Sequence, residues 1–166
     1  EGEKEARKLI KPLVKEIKSR MGSNIYTTDE EVTLEKAVVD LLVANGLTVT
    51  CAESCTGGLL SGRLINVPGV SQVYSNKAKR KLLNVRKSTL EKYGAVSRQT
   101  AEEMARGLAV TAKSDVAVAV TGLAGPDGGS EEKPVGLVYI ACCVKGEMTV
   151  EEYHFSGNRQ TIREAT

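Results

Sequence analysis

Within the 166-residue chain, the run from Leu47 to Gly58 (Leu-Thr-Val-Thr-Cys-Ala-Glu-Ser-Cys-Thr-Gly-Gly) concentrates residue types that can attack a carbonyl. Ser54 and Cys55 are candidate nucleophiles, and Glu53 precedes them as a possible base or orienting group. An apolar run, Leu59 to Ile65, follows Gly57 and Gly58. A strand, a polar turn and a helix start leave backbone N–H groups unpaired, where the helix dipole also favours negative charge. Such a turn suits an oxyanion, with the Cys55 and Thr56 amides as donors. It also suits a phosphate held by Gly57 and Gly58, although the Gly-Lys-Ser/Thr ending of an ATP-binding loop is missing. On spacing alone Ser54 reads as a helix cap sooner than as a nucleophile. Cys55 is the rival nucleophile, because a thiol at a helix N-terminus has a lowered pKa. Adjacent residues point to different sides, so the two cannot both face one substrate.

Positioning these groups requires a strand over Leu47 to Ala52 and a helix over Leu59 to Ile65. Upstream, Ala6, Leu9, Ile10, Leu13, Val14 and Ile17 recur at helical spacing with Pro12 as a kink or start, and Asn24 to Tyr26 reads as a short strand. Thr28 and Glu31 have capping-box spacing before a helix whose apolar face is Leu34, Val38, Leu41 and Leu42, ending at Gly46. Beyond the Val67-Pro68-Gly69 turn, Asn76 is placed to cap a helix from Lys77 to Leu83, and Ser88 with Glu91 marks another, closed by Gly94. Ser97 caps a longer helix that buries Ala101, Met104, Ala105, Leu108, Ala109 and Ala112.

The run Val116 to Val120 reads as a strand covered on both faces. It gives way to a glycine-rich loop, Thr121 to Pro134, and then to strands Val135 to Val144 and Met148 to Phe155, turned at Lys145-Gly146 and therefore antiparallel. A last helix starts at Gly157-Asn158-Arg159. Helices alternating with strands, plus a terminal hairpin, predict an α/β fold with a mixed sheet between helical layers. In such a sheet the Ala52 to Gly58 turn and the Thr121 to Pro134 loop gather at one edge, across a crevice.

Composition narrows the function. The chain is 41% hydrophobic, enough for one principal core, and its net charge is +2. That charge, one Phe and no Trp count against a nucleic-acid partner, in spite of the basic cluster Lys77 to Lys81. No apolar run approaches a membrane span or a signal-peptide core, so the expectation is a cytoplasmic protein. Cys51, Cys55, Cys142 and Cys143 read as reduced structural thiols, and the single histidine, His154, makes both a metal centre and a Ser-His-Asp set unattractive.

Five ordered motifs carry a family resemblance: Ala52 to Gly58, Tyr74 to Lys79 (Tyr-Ser-Asn-Lys-Ala-Lys), Gly94 to Ser97, Thr121 to Pro126, and Lys133 to Gly136. Together they resemble the competence/damage-inducible CinA family, and within it the C-terminal nicotinamide-nucleotide amidase domain. The resemblance covers about Thr33 to the end. It implies a three-layer α/β/α fold spanning 29–166, with 1–28 the tail of a preceding middle domain or linker helix and the last helix cut short. It also implies hydrolysis of the carboxamide of nicotinamide mononucleotide, without metal or organic cofactor, in a homodimer.

The same resemblance implies a catalytic set of Ser54, Tyr74 and Lys79. A lysine desolvated near apolar walls has a lowered pKa and can act as the base for Ser54, with Tyr74 holding the pair or passing a proton. Read without the family, Lys79 belongs to a solvated helix face and Tyr74 is a packed strand residue. Substrate contacts are expected from Glu53, Cys55, Thr56, Gly57, Gly58, Thr121, Gly122, Ala124, Gly125 and Arg159, with Thr121 and Arg159 assigned to ribose or phosphate. One departure stands out. Family members have several more residues, including a glycine-containing strand, where only Val70 to Val73 separate the Val-Pro-Gly turn from Tyr74. A segment missing from the numbering is expected, since a real shortening would pull Tyr74 and Lys79 away from Ser54. A non-catalytic nucleotide-binding or regulatory module is the competing reading.

Overall fold

The computed structural model describes residues 2–74 and 85–166. The helix read from Lys77 to Leu83, its Asn76 cap and Lys79 lie outside the described residues. The chain divides into two compact units, Glu1–Val38 and Val39–Thr166.

The first unit holds helix α1 (Gly2–Met21), which runs through Pro12, and a 3-10 turn at Gly22–Asn24. The short strand expected at Asn24 to Tyr26 is therefore absent, and the chain continues as coil. Helix α2 (Leu34–Ala44) begins in this unit. Its cap is Thr33, whose hydroxyl accepts from the Lys36 amide at 3.3 Å, and not Thr28. The Thr27 hydroxyl instead accepts from the Asp29 amide in a local turn.

The second unit is built on one four-stranded sheet in the order β1-β2-β3-β4: β1 (Val49–Glu53), β2 (Val116–Gly122), β3 (Leu137–Val144) and β4 (Glu147–His154). β1 and β2 are parallel, and the other pairs are antiparallel. The mixed sheet and terminal hairpin read from the sequence are both present. Val144 pairs with Glu147 across a two-residue turn in which Lys145 and Gly146 both have positive φ, as a tight primed turn requires.

Alternation along the strands separates two faces. Ala52, Ala117, Ala119, Ala141 and Cys143 point to helix α5 (Arg98–Ala112), which answers with Ala101, Met104, Ala105 and Leu108. Alanines on both sides let helix and sheet approach closely, and Leu108, 1% exposed, fills the space that remains. Ser97 caps α5, accepting from the Thr100 amide. The opposite face carries two clusters. Val49 packs with Val39 and Leu42 of α2, Leu64 of α3 (Leu59–Ile65), Val67, Val70 and Val73. Val120 and Val138 pack with Cys55, Ala124 and Ile162 of α6 (Arg159–Ala165). On α2 the buried stripe is Val39 and Leu42, while Leu34, Val38 and Leu41 remain exposed. The apolar stripe is thus rotated from the one read in sequence. Helix α4 (Lys87–Tyr93) starts one residue before Ser88, after Arg86, and ends at Gly94 as expected.

The short link before Tyr74 folds as a turn. Val70 and Gln72 donate back to Val67 and Gly69, and Val73 and Tyr74 both donate to the Val70 carbonyl. Val49 then donates to the Val73 carbonyl at 2.7 Å, and Tyr74 forms a parallel bridge with Val49.

Candidate active site

Ser54 follows the last residue of β1. Its amide donates to the Val120 carbonyl of β2 at 3.1 Å, and its carbonyl accepts from Gly57 at 3.1 Å. Its backbone is therefore fixed while its side chain is exposed. Among the described residues its hydroxyl has no hydrogen-bond partner, so Ser54 is not a side-chain cap of α3. The amides of Cys55 and Thr56 likewise meet no oxygen acceptor among the described residues. Both amides turn to the Cys55 sulfur instead, a weak acceptor, so what the turn offers acyl transfer is an exposed, backbone-fixed serine hydroxyl.

The N-terminus of α3 is filled from within the chain. Glu53 accepts from the amides of Gly58 and Leu60 at 3.0 Å through one oxygen, and from the amide and hydroxyl of Ser61 at 2.9 and 2.5 Å through the other. Gly57 and Gly58 have donated their N–H groups to Ser54 and Glu53, which leaves neither amide for a phosphate. Burial alone would raise the Glu53 carboxyl, but the bonds from Ser61 and Leu60 outweigh it and hold its pKa below the ordinary 4.5.

Tyr74 joins this arrangement by its tip. Its hydroxyl donates to Ser61 Oγ at 2.8 Å, so Tyr74, Ser61 and Glu53 form one chain of donors ending on a carboxylate. Burial raises the Tyr74 pKa and keeps the phenol protonated; the Ser61 bond opposes that rise, and Cys51 and Glu53 add to it. In register, Tyr74 sits beside the first residue of β1, while Ser54 lies five residues further on, about 17 Å along an extended strand. Ser61 went unnoticed in the sequence. Its only signal is a polar residue inside the apolar run Leu59 to Ile65.

Cys55 points into the apolar cluster with Val120, Val138 and Ile162. Burial pushes its thiol pKa up; the Cys55 and Thr56 amides and the charges of Arg159 and Arg163 offset that only partly. The activation expected of a helix-terminal thiol does not develop. Cys51, on the α3 face of β1, is pushed up to about 12, first by burial and then by the Glu53 charge.

The second glycine-bearing connection, Gly122 to Gly136, is tied down at several points. Thr121, 3% exposed, donates its hydroxyl to the Ala95 carbonyl at 2.8 Å. Lys133 Nζ donates to the carbonyls of Tyr93 and Val96 at 2.5 and 2.8 Å. Arg159 donates to the Gly125 carbonyl at 2.8 Å. A Cβ on Gly122 would lie 2.7 Å from Val138 and 3.1 Å from Cys55 Sγ, so Gly122 is a packing glycine. Ala124 is buried in the same cluster as Cys55. The Gly94 to Ser97 and Lys133 to Gly136 motifs thus meet each other, with Thr121 as the third anchor.

Arg163 was also missed in the sequence. From α6 it donates Nε to the Cys55 carbonyl at 3.0 Å and Nη2 to the Thr56 carbonyl at 2.9 Å. A cleft of about 260 Å³ opens beside it between α3 and α6, with Thr56, Leu60, Arg63 and Thr166 among its walls. Among the described residues no three acidic, His or Cys side chains converge as a metal site, and no helix is long and apolar enough to cross a membrane.

Comparison with known proteins agrees with this architecture. Residues 31–166 match the family described as the CinA C-terminal domain. A competence-damage inducible protein of Clostridium novyi is 52% identical over 169 residues, covering 98% of this chain and 41% of the relative; one from Alkaliphilus oremlandii is 49% identical over 168 residues, covering 97% and 40%. The chain therefore spans about two fifths of the length of these curated relatives. Among solved structures, the competence/damage inducible protein from Agrobacterium tumefaciens is 44% identical with a TM-score of 0.74, covering 80% of this chain and 86% of that one. The competence-damaged protein superfamily member from Escherichia coli is 35% identical with a TM-score of 0.73, covering 87% and 91%.

Proposed function

The chain belongs to the CinA C-terminal domain family, and from that premise we propose that it is an amidase that hydrolyses the carboxamide of nicotinamide mononucleotide to nicotinic acid mononucleotide and ammonia. The observation that carries this reading is the state of Ser54: exposed, backbone-fixed, and with a hydroxyl that has no hydrogen-bond partner among the described residues. Ser54 Oγ attacks the carboxamide carbon as its proton passes to a base. The oxyanion is met by backbone N–H groups of the turn, the C–N bond breaks as ammonia leaves with a proton, and water then cleaves the acyl ester.

The resemblance makes Lys79 the base. Tyr74, whose one O–H is donated to Ser61, steadies the Ser61–Glu53 end of α3 and does not act as a phenolate. Arg159 commits one N–H to Gly125 and keeps others for the substrate phosphate. The activity is tested by ammonia release from nicotinamide mononucleotide in chelator-treated buffer, for wild type, Ser54→Ala and Lys79→Ala. Release by wild type that vanishes in both variants supports the reading; full release by Ser54→Ala would transfer the nucleophile elsewhere. No release from folded wild type would favour a nucleotide-binding module.

A further inference from the structure

The peptide units just after Ser54 are held from the far end of the sequence. We propose that Arg163 is a positioning residue for the Ser54 turn, acting through the carbonyls of Cys55 and Thr56; the inference rests on the amidase reading for its kinetic consequence. In a trans peptide the C=O and the next N–H are rigidly opposed in one plane. A donor fixed on the Cys55 carbonyl therefore also fixes the Thr56 N–H, and one on the Thr56 carbonyl fixes the Gly57 N–H. Arg163 does both at once, with Nε at 3.0 Å and Nη2 at 2.9 Å. A planar guanidinium fork can hold two successive carbonyls, which a lysine ammonium cannot do with the same geometry.

The second plane closes back on the nucleophile. Gly57 N–H donates to the Ser54 carbonyl at 3.1 Å, so Arg163 is one peptide unit from the backbone of Ser54. Bonds at both ends of a peptide polarise it and strengthen one another. Gly57 supplies an independent sign of the same arrangement. It adopts φ +61°, and a Cβ there would sit 3.1 Å from Arg163 Nη2, so the missing side chain makes room for the guanidinium. Arg163 reaches the turn across 108 residues of sequence. The catalytic turn is thereby coupled to the docking of α6, whose Ile162 is fully buried against Val120 and Val138.

The test compares wild type, Arg163→Ala and Arg163→Lys in the full chain. In Arg163→Ala, kcat for ammonia release from nicotinamide mononucleotide is expected to fall about 100-fold, the effect of losing an oxyanion donor, with KM within about threefold. Sub-denaturing guanidinium should restore at least about a tenth of the lost rate, since the missing group is a small donor fork. Arg163→Lys should lie between and carries the test if the alanine variant does not fold. A rise in KM at unchanged kcat, or a fall in kcat that follows the folded fraction by circular dichroism, would overturn the proposal. The second readout needs no turnover: in the ¹H–¹⁵N spectrum the Thr56 and Gly57 amides should shift in Arg163→Lys while Ala117 and Ala119 do not. If wild type releases no ammonia but those amides shift, the amidase reading fails and the bracing stands. If they do not move, the bracing fails whatever the activity.

Discussion

The two connections at the carboxyl edge of the sheet are both rich in glycine, yet they are built for different ends. In the loop from Gly122 to Gly136, side chains reach across to carbonyls on other elements: Thr121 to Ala95, Lys133 to Tyr93 and Val96, Arg159 to Gly125. The Ser54 to Gly58 turn is braced just as firmly from behind by Glu53 and Arg163, but its leading hydroxyl has no partner among the described residues. Both are tied at several points, and only the turn leads with an exposed hydroxyl at a candidate nucleophile. Rigidity alone does not mark a reactive site; a fixed backbone that presents an accessible nucleophile does.

If that contrast is right, a lesion in the turn's front should remove activity and spare stability, and a lesion in the long loop should do the reverse. The largest effect is expected for Ser54→Ala, with turnover down at least about 1000-fold and a melting temperature within about 2 °C of wild type. Next is Gly136→Ala. Gly136 has φ +98°, and an added Cβ would overlap the Phe155 carbonyl, so a loss of about 3–5 kcal/mol is expected in chemical denaturation. Glu53→Gln should cost about 1–2 kcal/mol, because an amide cannot accept at both ends and leaves helix N–H groups of α3 unpaired.

The acid limb sharpens the same comparison. The folded Glu53 pKa lies below 4.5, so its contribution is complete above that value and is lost as pH falls through the folded pKa. Glu103, Asp115 and Glu152 are lowered too and add their own slopes. Glu53→Gln should therefore flatten stability against pH below about 4.5 without abolishing the dependence. The smallest effect is expected for Cys55→Ala. Its thiol is buried and its pKa raised, so turnover should stay within about threefold; a collapse of turnover with intact folding would move the chemistry to the thiol.

How far the sequence disclosed this molecule depends on the range of each interaction. Helix α5 was legible because its signals are local: a serine cap three residues before the amide that donates to it, and apolar positions at helical spacing of which Ala101, Met104, Ala105, Leu108 and Ala112 are buried and Ala109 is half-buried. Helix α2 was legible in existence but not in detail. Thr28 with Glu31 imitates a capping box while Thr33 does the capping, and a short helix with eight apolar positions allows more than one stripe. The mixed sheet followed from strand spacing and a tight turn. The groups that brace the turn did not. Ser61 matters only because β1 and α3 fold back on each other, and Arg163 only because α6 lands beside residues 107 and 108 positions earlier. Periodicity cannot report such pairings.

The order in which the sheet can assemble has a consequence of its own. β2, β3 and β4 are neighbours in sequence, and the β3–β4 hairpin closes over two residues, an event of about 1–10 μs in isolation. β1 pairs with β2 across a separation of 67 residues, and this long chain closure is the slow kind. The hairpin end is thus expected to be the early folding unit and the β1 edge the late one. Because the Ser54 turn hangs from the end of β1 and is held by the Val120 carbonyl and by Arg163 of α6, all distant from it in sequence, competence for chemistry should emerge last during refolding, after most of the backbone signal has recovered. A stopped-flow refolding trace followed by both circular dichroism and active-serine labelling would show that lag directly.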